Sequence, residues 1–151
     1  MLDAFDRQIF RQLQADPEAP LAELAARVGA APARVSRRLE RLRDQGIYLG
    51  QTLRIDWAAL GYEVEVSLRV TLDKTQSRAF DDFLTAARQI PEVIALQTFL
   101  GVVDVRLSVV ARDMGHYQQL YRDSILELPH IADIEALMHV ATLKADETLP
   151  I

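Results

Sequence analysis

The sequence predicts an α+β protein in two parts: an N-terminal helix-turn-helix unit and a C-terminal ferredoxin-like βαββαβ domain. Three observations predict it. Apolar residues recur at helical spacing three times before Gly46. A strict period of two opens at Val64. Helix-like and strand-like stretches then alternate in the order of the split βαββαβ motif.

Leu2, Phe5, Ile9 and Leu13 mark a first helix over 2–15, with Asp3 and Asp6 in the turn where the helix dipole favours acids. "DPEAP" at 16–20 breaks it. Leu21, Leu24, Ala25 and Val28 mark a short second helix that Gly29 can end in a left-handed conformation. Pro32 suits the first position of a third helix, which buries Val35, Leu39 and Leu42 on one face and closes at Gly46. Three short helices with a tight glycine-containing turn between the last two are what a helix-turn-helix needs.

Beyond residue 46, "IYLGQTLRID" reads as a short β-segment and "WAALG" as a turn of helix leading into a linker at Gly61. The expected organisation is 1–50 as the helix-turn-helix domain, 51–62 as a β-linker and 63–151 as the second domain. In "EVEVSLRVTL", Val64, Val66, Leu68, Val70 and Leu72 share one face and Glu63, Glu65, Ser67, Arg69 and Thr71 the other, the pattern of a half-buried strand. Phe80, Phe83, Leu84 and Ala87 give a helix over 76–89. "VIALQTF" and "VRLSVVA" make a hairpin around "LGVVD". Tyr117, Leu120, Tyr121 and Ile125 give another helix, ended by "LPH", and "IADIEALMHVATL" supplies the last strand.

A sheet of this kind packs helices on one face and leaves the other for polar residues or a partner. The last strand carries apolar residues on both faces, Ile134, Met138 and Val140 against Leu137 and Ala141, so the sheets are expected to pair in a homodimer. A dimer would also present two recognition helices to two half-sites.

The 151 residues, half of them apolar, suffice for a proper core. No apolar run approaches the length of a membrane span, and "MLDAFDRQIF" lacks the basic and greasy stretches of a signal peptide, so the reading is cytoplasmic and without a membrane partner. There is no cysteine, and His116, His130 and His139 are not at ligand spacing, so no metal is expected. Catalytic and nucleotide motifs such as GxSxG, the P-loop and GxGxxG are missing; no catalytic residue is assigned and no cofactor is expected.

The net charge of −5 conceals an uneven distribution. Residues 1–50 hold eight arginines against seven acids, leaving nine basic against fifteen acidic residues in the rest. With Val35, Leu39 and Leu42 buried, Arg34, Arg37, Arg38 and Arg41 form a largely exposed basic face. Four of their pairs are like charges at i,i+3 or i,i+4, each costing an isolated helix about 0.2–0.5 kcal/mol. Two readings stand: a solvated face with Arg38 or Arg41 bonded inward to the first helix, or a face whose missing counter-charge is phosphate. Its place on the third helix of a helix-turn-helix favours the second, with Arg34, Ser36, Arg37, Arg38 and Arg41 meeting double-stranded DNA.

At this point the chain resembles the Lrp/AsnC family of transcription regulators, the feast/famine proteins. The resemblance rests on "LDAFDRQIFRQLQAD", on "LAELAARVGAAPARVSRRLERLRDQGIY", on "GVVD" at 101–104 and on a closing strand with "ETLPI". It implies a winged-type helix-turn-helix joined by a β-linker to a βαββαβ ligand domain, dimers assembling further, often to octamers, and tuning by an amino acid bound between dimers. The implied effector residues are Leu100, Gly101, Val102 and Asp104. Two departures carry expectations. Ala31 stands where the family usually has a capping Ser, so a cap worth roughly 1 kcal/mol is missing. Val102 and Val103 stand where it has Asp and an aromatic residue, which implies either lost amino-acid sensing or a more apolar effector. The bland reading of "GVVD" is a hairpin turn in which Asp104 bonds its own backbone.

Two further readings compete with a regulator. Some tetrapyrrole decarboxylases resemble the same two-domain architecture, which would want His or Arg gathered in a pocket, with His116, His130 and His139 as candidates by type. An assembly module with a vestigial DNA-binding half is the other.

Overall fold

A computed structural model of the chain describes residues 2–145 and 148–151. The described residues form two compact units, Met1–Arg54 together with Lys144–Ile151, and Ile55–Leu143. The described residues of 144–151 group by contact with the first unit. Gln14 holds them there with both ends of its amide: Nε2 donates to the Leu149 carbonyl at 3.2 Å, and Leu149 N donates to Oε1 at 2.6 Å. Arg11 Nε donates to the Ile151 carbonyl.

The first unit holds three helices, α1 (Ala4–Ala15), α2 (Leu21–Arg27) and α3 (Pro32–Asp44). Asp3 caps α1 and exchanges backbone-to-carboxylate bonds with Asp6 in a reciprocal capping box. Helices α2 and α3 both end on a left-handed glycine, Gly29 at φ 64° and Gly46 at φ 68°. At each, two backbone bonds close the last turn: Gly29 N to Ala26 O with Ala30 N to Ala25 O, and Gly46 N to Arg43 O with Ile47 N to Leu42 O. Ile9, Leu24, Ala25, Val28, Val35 and Leu39 form the core of this unit, with Phe5, Leu13, Ala30 and Tyr48 packed around it. At the start of α3, Ala31 makes no side-chain cap and Pro32 alone sets the first turn.

The β-segment expected at 47–56 is not formed. Residues 48–56 carry no regular structure, and Leu49 and Leu53 are 92 % and 80 % exposed. A strand exists only through the hydrogen bonds of a neighbour, and among the described residues none lies beside this segment. A short 3₁₀ turn, Ala58–Leu60, follows and ends at Gly61.

The second unit runs β1 (Val64–Leu72), α4 (Ala79–Ala87), β2 (Val93–Thr98), β3 (Val105–Ala111), α5 (Met114–Leu120) and β4 (Ile131–Met138). All three strand pairings are antiparallel and the sheet order is β2-β3-β1-β4, the order of a split βαββαβ domain. The alternation in β1 decides which side is covered. Val66, Leu68, Val70 and Leu72 are buried with Leu107 and Val109 of β3 against Phe83 of α4 and Tyr117 and Leu120 of α5. Helix α4 starts later than predicted because Asp73 accepts from both the backbone N and the hydroxyl of Thr75, fixing a turn there. Helix α5 passes into one π turn, Tyr121–Ile125, before the chain reaches β4. That strand stops at Met138, five residues short of the predicted end.

The opposite face of the sheet bears Glu65, Ser67, Arg69 and Thr71 from β1, Arg106, Ser108 and Val110 from β3, and Glu135 and Leu137 from β4. Arg69 and Arg106 stand directly across from each other. Among the described residues no helix is long and apolar enough to cross a membrane.

Candidate nucleic-acid interface and effector loop

The basic face of α3 divides in two. Arg34, Arg38 and Arg41 lie at i, i+4, i+7 and so form a stripe beside the buried Val35, Leu39 and Leu42, on the side of the helix that meets α1. Asp6 of α1 is completely buried there. Its carboxylate accepts from Arg38 Nη1 at 3.0 Å, from Arg41 Nη2 at 3.0 and 3.2 Å, and from Asp3 N at 3.0 Å. Arg38 also pairs with Asp3. Asp3 is held down to about 2, first by the backbone N–H of Asp6 and then by Arg38. For Arg38 and Arg41, then, the inward-bonded reading applies, and they form a clamp between α1 and α3 that leaves the exposed basic face to Arg34 and Arg37. Arg38 is committed to it, its side chain only 20 % exposed, while Arg41 at 45 % keeps an edge outward.

The remaining sequence-selected residues make no ion pair with α1 among the described residues. Arg37 is exposed and makes no ion pair among the described residues. The Ser36 hydroxyl bonds Glu40 Oε1 at 3.2 Å, one turn along. Arg34 is exposed, and its guanidinium lies 4.5 Å from the centre of the Phe5 ring. Arg43, near the end of the helix, stacks on Tyr48 at 4.8 Å. The first turns of α3 thus present Arg34, Ser36 and Arg37, the part of a recognition helix that faces base edges when it lies in a major groove. Sequence reasoning placed Asp3 and Asp6 only as partners of the helix dipole and missed their roles as guanidinium acceptors. The spacing of 34, 38 and 41 next to the apolar stripe was the available signal.

In the second unit the β2–β3 connection spans 99–104. Leu100, Gly101 and Val102 are exposed, Leu100 fully and Val102 by 86 %. The loop is fixed to β1 by Thr71, whose hydroxyl donates to the Val102 carbonyl at 3.0 Å. Asp104 faces inward and is 3 % exposed. Its carboxylate accepts from Leu72 N at 2.9 Å and pairs with Lys74 at 3.1 Å. Its carboxylate therefore joins the hairpin to the end of β1 instead of bonding its own backbone. Of the four implied effector residues, three stand together on the surface and the fourth anchors them.

The three histidines each face a different carboxylate: His116 Nε2 lies 3.6 Å from Glu92, His130 Nε2 3.1 Å from Asp82, and His139 Nδ1 3.5 Å from Glu65. They are not gathered about one pocket. Beside Val110 on the open face of the sheet, Trp57, Leu60, Tyr62, Pro91 and Ile94 line a largely apolar cleft of about 280 Å³.

A helix-turn-helix whose third helix offers exposed arginines, on one chain with a βαββαβ domain that carries an exposed hairpin loop, defines a class: the two-domain DNA-binding regulators. Residues 2–43 match the AsnC-type helix-turn-helix domain and residues 65–149 the Lrp/AsnC ligand binding domain, and the chain belongs to the Lrp/AsnC family. It is 30% identical over 132 residues to the proline dehydrogenase transcriptional activator of Rhodobacter capsulatus, covering 87% of this chain and 86% of that one. Among solved structures it is similar to a transcriptional regulator from Neisseria meningitidis in complex with L-methionine, at 25% identity and TM-score 0.89, over 99% of this chain and 97% of the other. It is also similar to a feast or famine regulatory protein from M. tuberculosis complexed with L-methionine, at 27% identity and TM-score 0.86, over 99% of each chain.

Proposed function

We propose that the chain is a sequence-specific DNA-binding transcriptional regulator in which Arg34, Ser36 and Arg37 meet the major groove and an amino acid or related small molecule tunes binding through the loop at Leu100–Val102. The observation that carries the DNA reading is the division of the arginines. Two are neutralised by a buried carboxylate, and the two nearer the start of α3 are left with exposed, unneutralised guanidiniums. Unneutralised arginines on an exposed helix face gain most from phosphate and from guanine edges.

The effector reading is narrower. With Asp104 turned inward, the loop offers two exposed apolar side chains and backbone groups, which favours an amino acid with an apolar side chain. Two structural relatives were solved with L-methionine, and methionine is the first ligand to try.

The working form is a homodimer through the open sheet face. Arg69 faces Arg106, and like charges directly opposite are unfavourable. Arg69 has Glu135 at 3.6 Å, while Arg106 Nε is buried without a hydrogen-bond partner among the described residues. A second copy would bring acids to these arginines and cover Leu137 and the apolar cleft. The unpaired segment at 48–56 gives a further place for strand pairing between copies. Assembly of dimers to octamers, and action in the cytoplasm where the DNA lies, follow the same family reading.

The test is selection of a duplex from a random pool by the full chain, followed by affinity across a salt series with and without twenty amino acids. A selected sequence bound with a steep salt dependence, which Arg37→Ala flattens by about one unit, supports the reading. Assembly without selection of any sequence would favour the assembly module instead.

A further inference from the structure

We propose that Phe5 is a positioning residue of the DNA contact: its ring holds the Arg34 guanidinium in place, so that Arg34 meets DNA pre-ordered while Arg37 meets it as a mobile cation. The proposal rests on the reading of α3 as the DNA-facing helix.

Phe5 and Asp6 are neighbours on α1, and between them they meet all three arginines of the stripe on α3. Asp6 takes Arg38 and Arg41 by ion pairing. Phe5, half-buried at the edge of the core, lies 4.5 Å from the Arg34 guanidinium carbon and 5.5 Å from that of Arg38. Arg38 is already fixed by two carboxylates, so the ring adds little to its placement. Arg34 has no carboxylate partner among the described residues, and the ring is what orders it.

The choice of an aromatic partner has a chemical consequence. A carboxylate would occupy the N–H edge of Arg34 and cancel its charge. The face of a benzene ring attracts the cation through its quadrupole, leaves the charge in place and leaves the in-plane N–H donors open. A guanidinium tolerates this contact because it is planar and weakly hydrated. Ordering one long side chain before binding removes a cost otherwise met on association.

The experiment measures affinity for the duplex selected by the wild-type chain, across salt, for Arg34→Ala, Arg37→Ala, Phe5→Leu, Phe5→Tyr and the double variant Phe5→Leu with Arg34→Ala. Phe5→Leu is expected to weaken binding about threefold to tenfold with an unchanged salt slope, because no charge is lost. Phe5→Tyr keeps the ring and restores affinity. In the double variant, Phe5→Leu adds nothing to the loss from Arg34→Ala. Replacing Phe5 by pentafluorophenylalanine keeps shape and burial but reverses the quadrupole, and is expected to weaken binding as Phe5→Leu does; it decides the matter if Phe5→Leu unfolds the unit. Additive losses in the double variant, or wild-type affinity with the fluorinated ring, overturn the proposal. Wild-type affinity in Arg34→Ala with a loss in Arg37→Ala overturns it while leaving α3 as the reader. Selection of no sequence, or wild-type affinity in both arginine variants, overturns it together with the reading of α3.

Discussion

Replacing Asp6 by Asn keeps the side chain's shape and removes the charge on which two arginines converge. The carboxylate is fully buried and accepts four hydrogen bonds within 3.2 Å, three of them from Arg38 and Arg41. At roughly 1.5–3 kcal/mol for each bond to a charged group, the three guanidinium bonds alone would sum well above what one residue delivers. Removing one partner of a buried pair costs about 3–5 kcal/mol, since the other charge is stranded. Here the stranded charges are not fully enclosed, the two arginine side chains being 20 % and 45 % exposed, and both can regain water. The lower end therefore applies, about 3 kcal/mol. With a urea slope of about 1–2 kcal/mol per molar, the midpoint of helix loss followed by circular dichroism should fall by about 2 M. The same change frees two guanidiniums, so binding to random-sequence DNA should tighten and its salt slope steepen even as stability falls. A loss below about 0.5 kcal/mol, the spread of neutral surface changes, would refute the clamp as a source of stability.

Other outcomes follow from single contacts. Asp3 titrates at about 2 instead of the ordinary 3.8. A depressed carboxylate supports the fold fully above its unfolded value, and that support is lost as pH falls toward the folded one. Helix content should therefore drop between pH values of about 4 and 2 in a circular dichroism titration, and Asp3→Asn should flatten that step. Ala31→Ser supplies the missing cap of α3 and should raise stability by about 1 kcal/mol in the urea titration; no gain would mean Pro32 holds the turn unaided. Asp104→Ala leaves the buried Leu72 N–H without its acceptor and should cost about 1–3 kcal/mol in the same titration. A loss below about 0.5 kcal/mol would refute the anchoring role of Asp104.

Much of the first unit was legible because its signals are local. Apolar spacing marked all three helices, and Gly29 and Gly46 marked two ends, since the left-handed turn each adopts is a property of the residue itself. What the basic face does was legible only in part. Charge content along a helix does not reveal which arginines have a partner on another helix. Placing 34, 38 and 41 as one stripe beside Val35, Leu39 and Leu42 shows that they border the buried face, but the acceptor, Asp6, lies 32 residues from Arg38 along the chain. Phe5 was harder still. Its apolar spacing assigns it to the core, against which it does pack, and nothing local marks the ring's second contact, with Arg34.

In the second unit the period of two located β1 and its faces, and the order of elements gave the topology. The same period misleads at "IYLGQTLRID", because alternation states which residues would share a face and not whether a neighbouring strand exists to bond them. Asp104 shows the converse. A carboxylate in a hairpin beside Gly101 looks available to a ligand, yet a backbone N–H from β1 and Lys74, distant in sequence, draw it inward. Burial of that charge also explains the exposure of Leu100 and Val102: with Asp104 anchored under the loop and Thr71 bonded to the Val102 carbonyl, the residues before Val103 stand out from the sheet. A ligand reaching this loop would therefore meet the exposed side chains of Leu100 and Val102 before the buried carboxylate of Asp104.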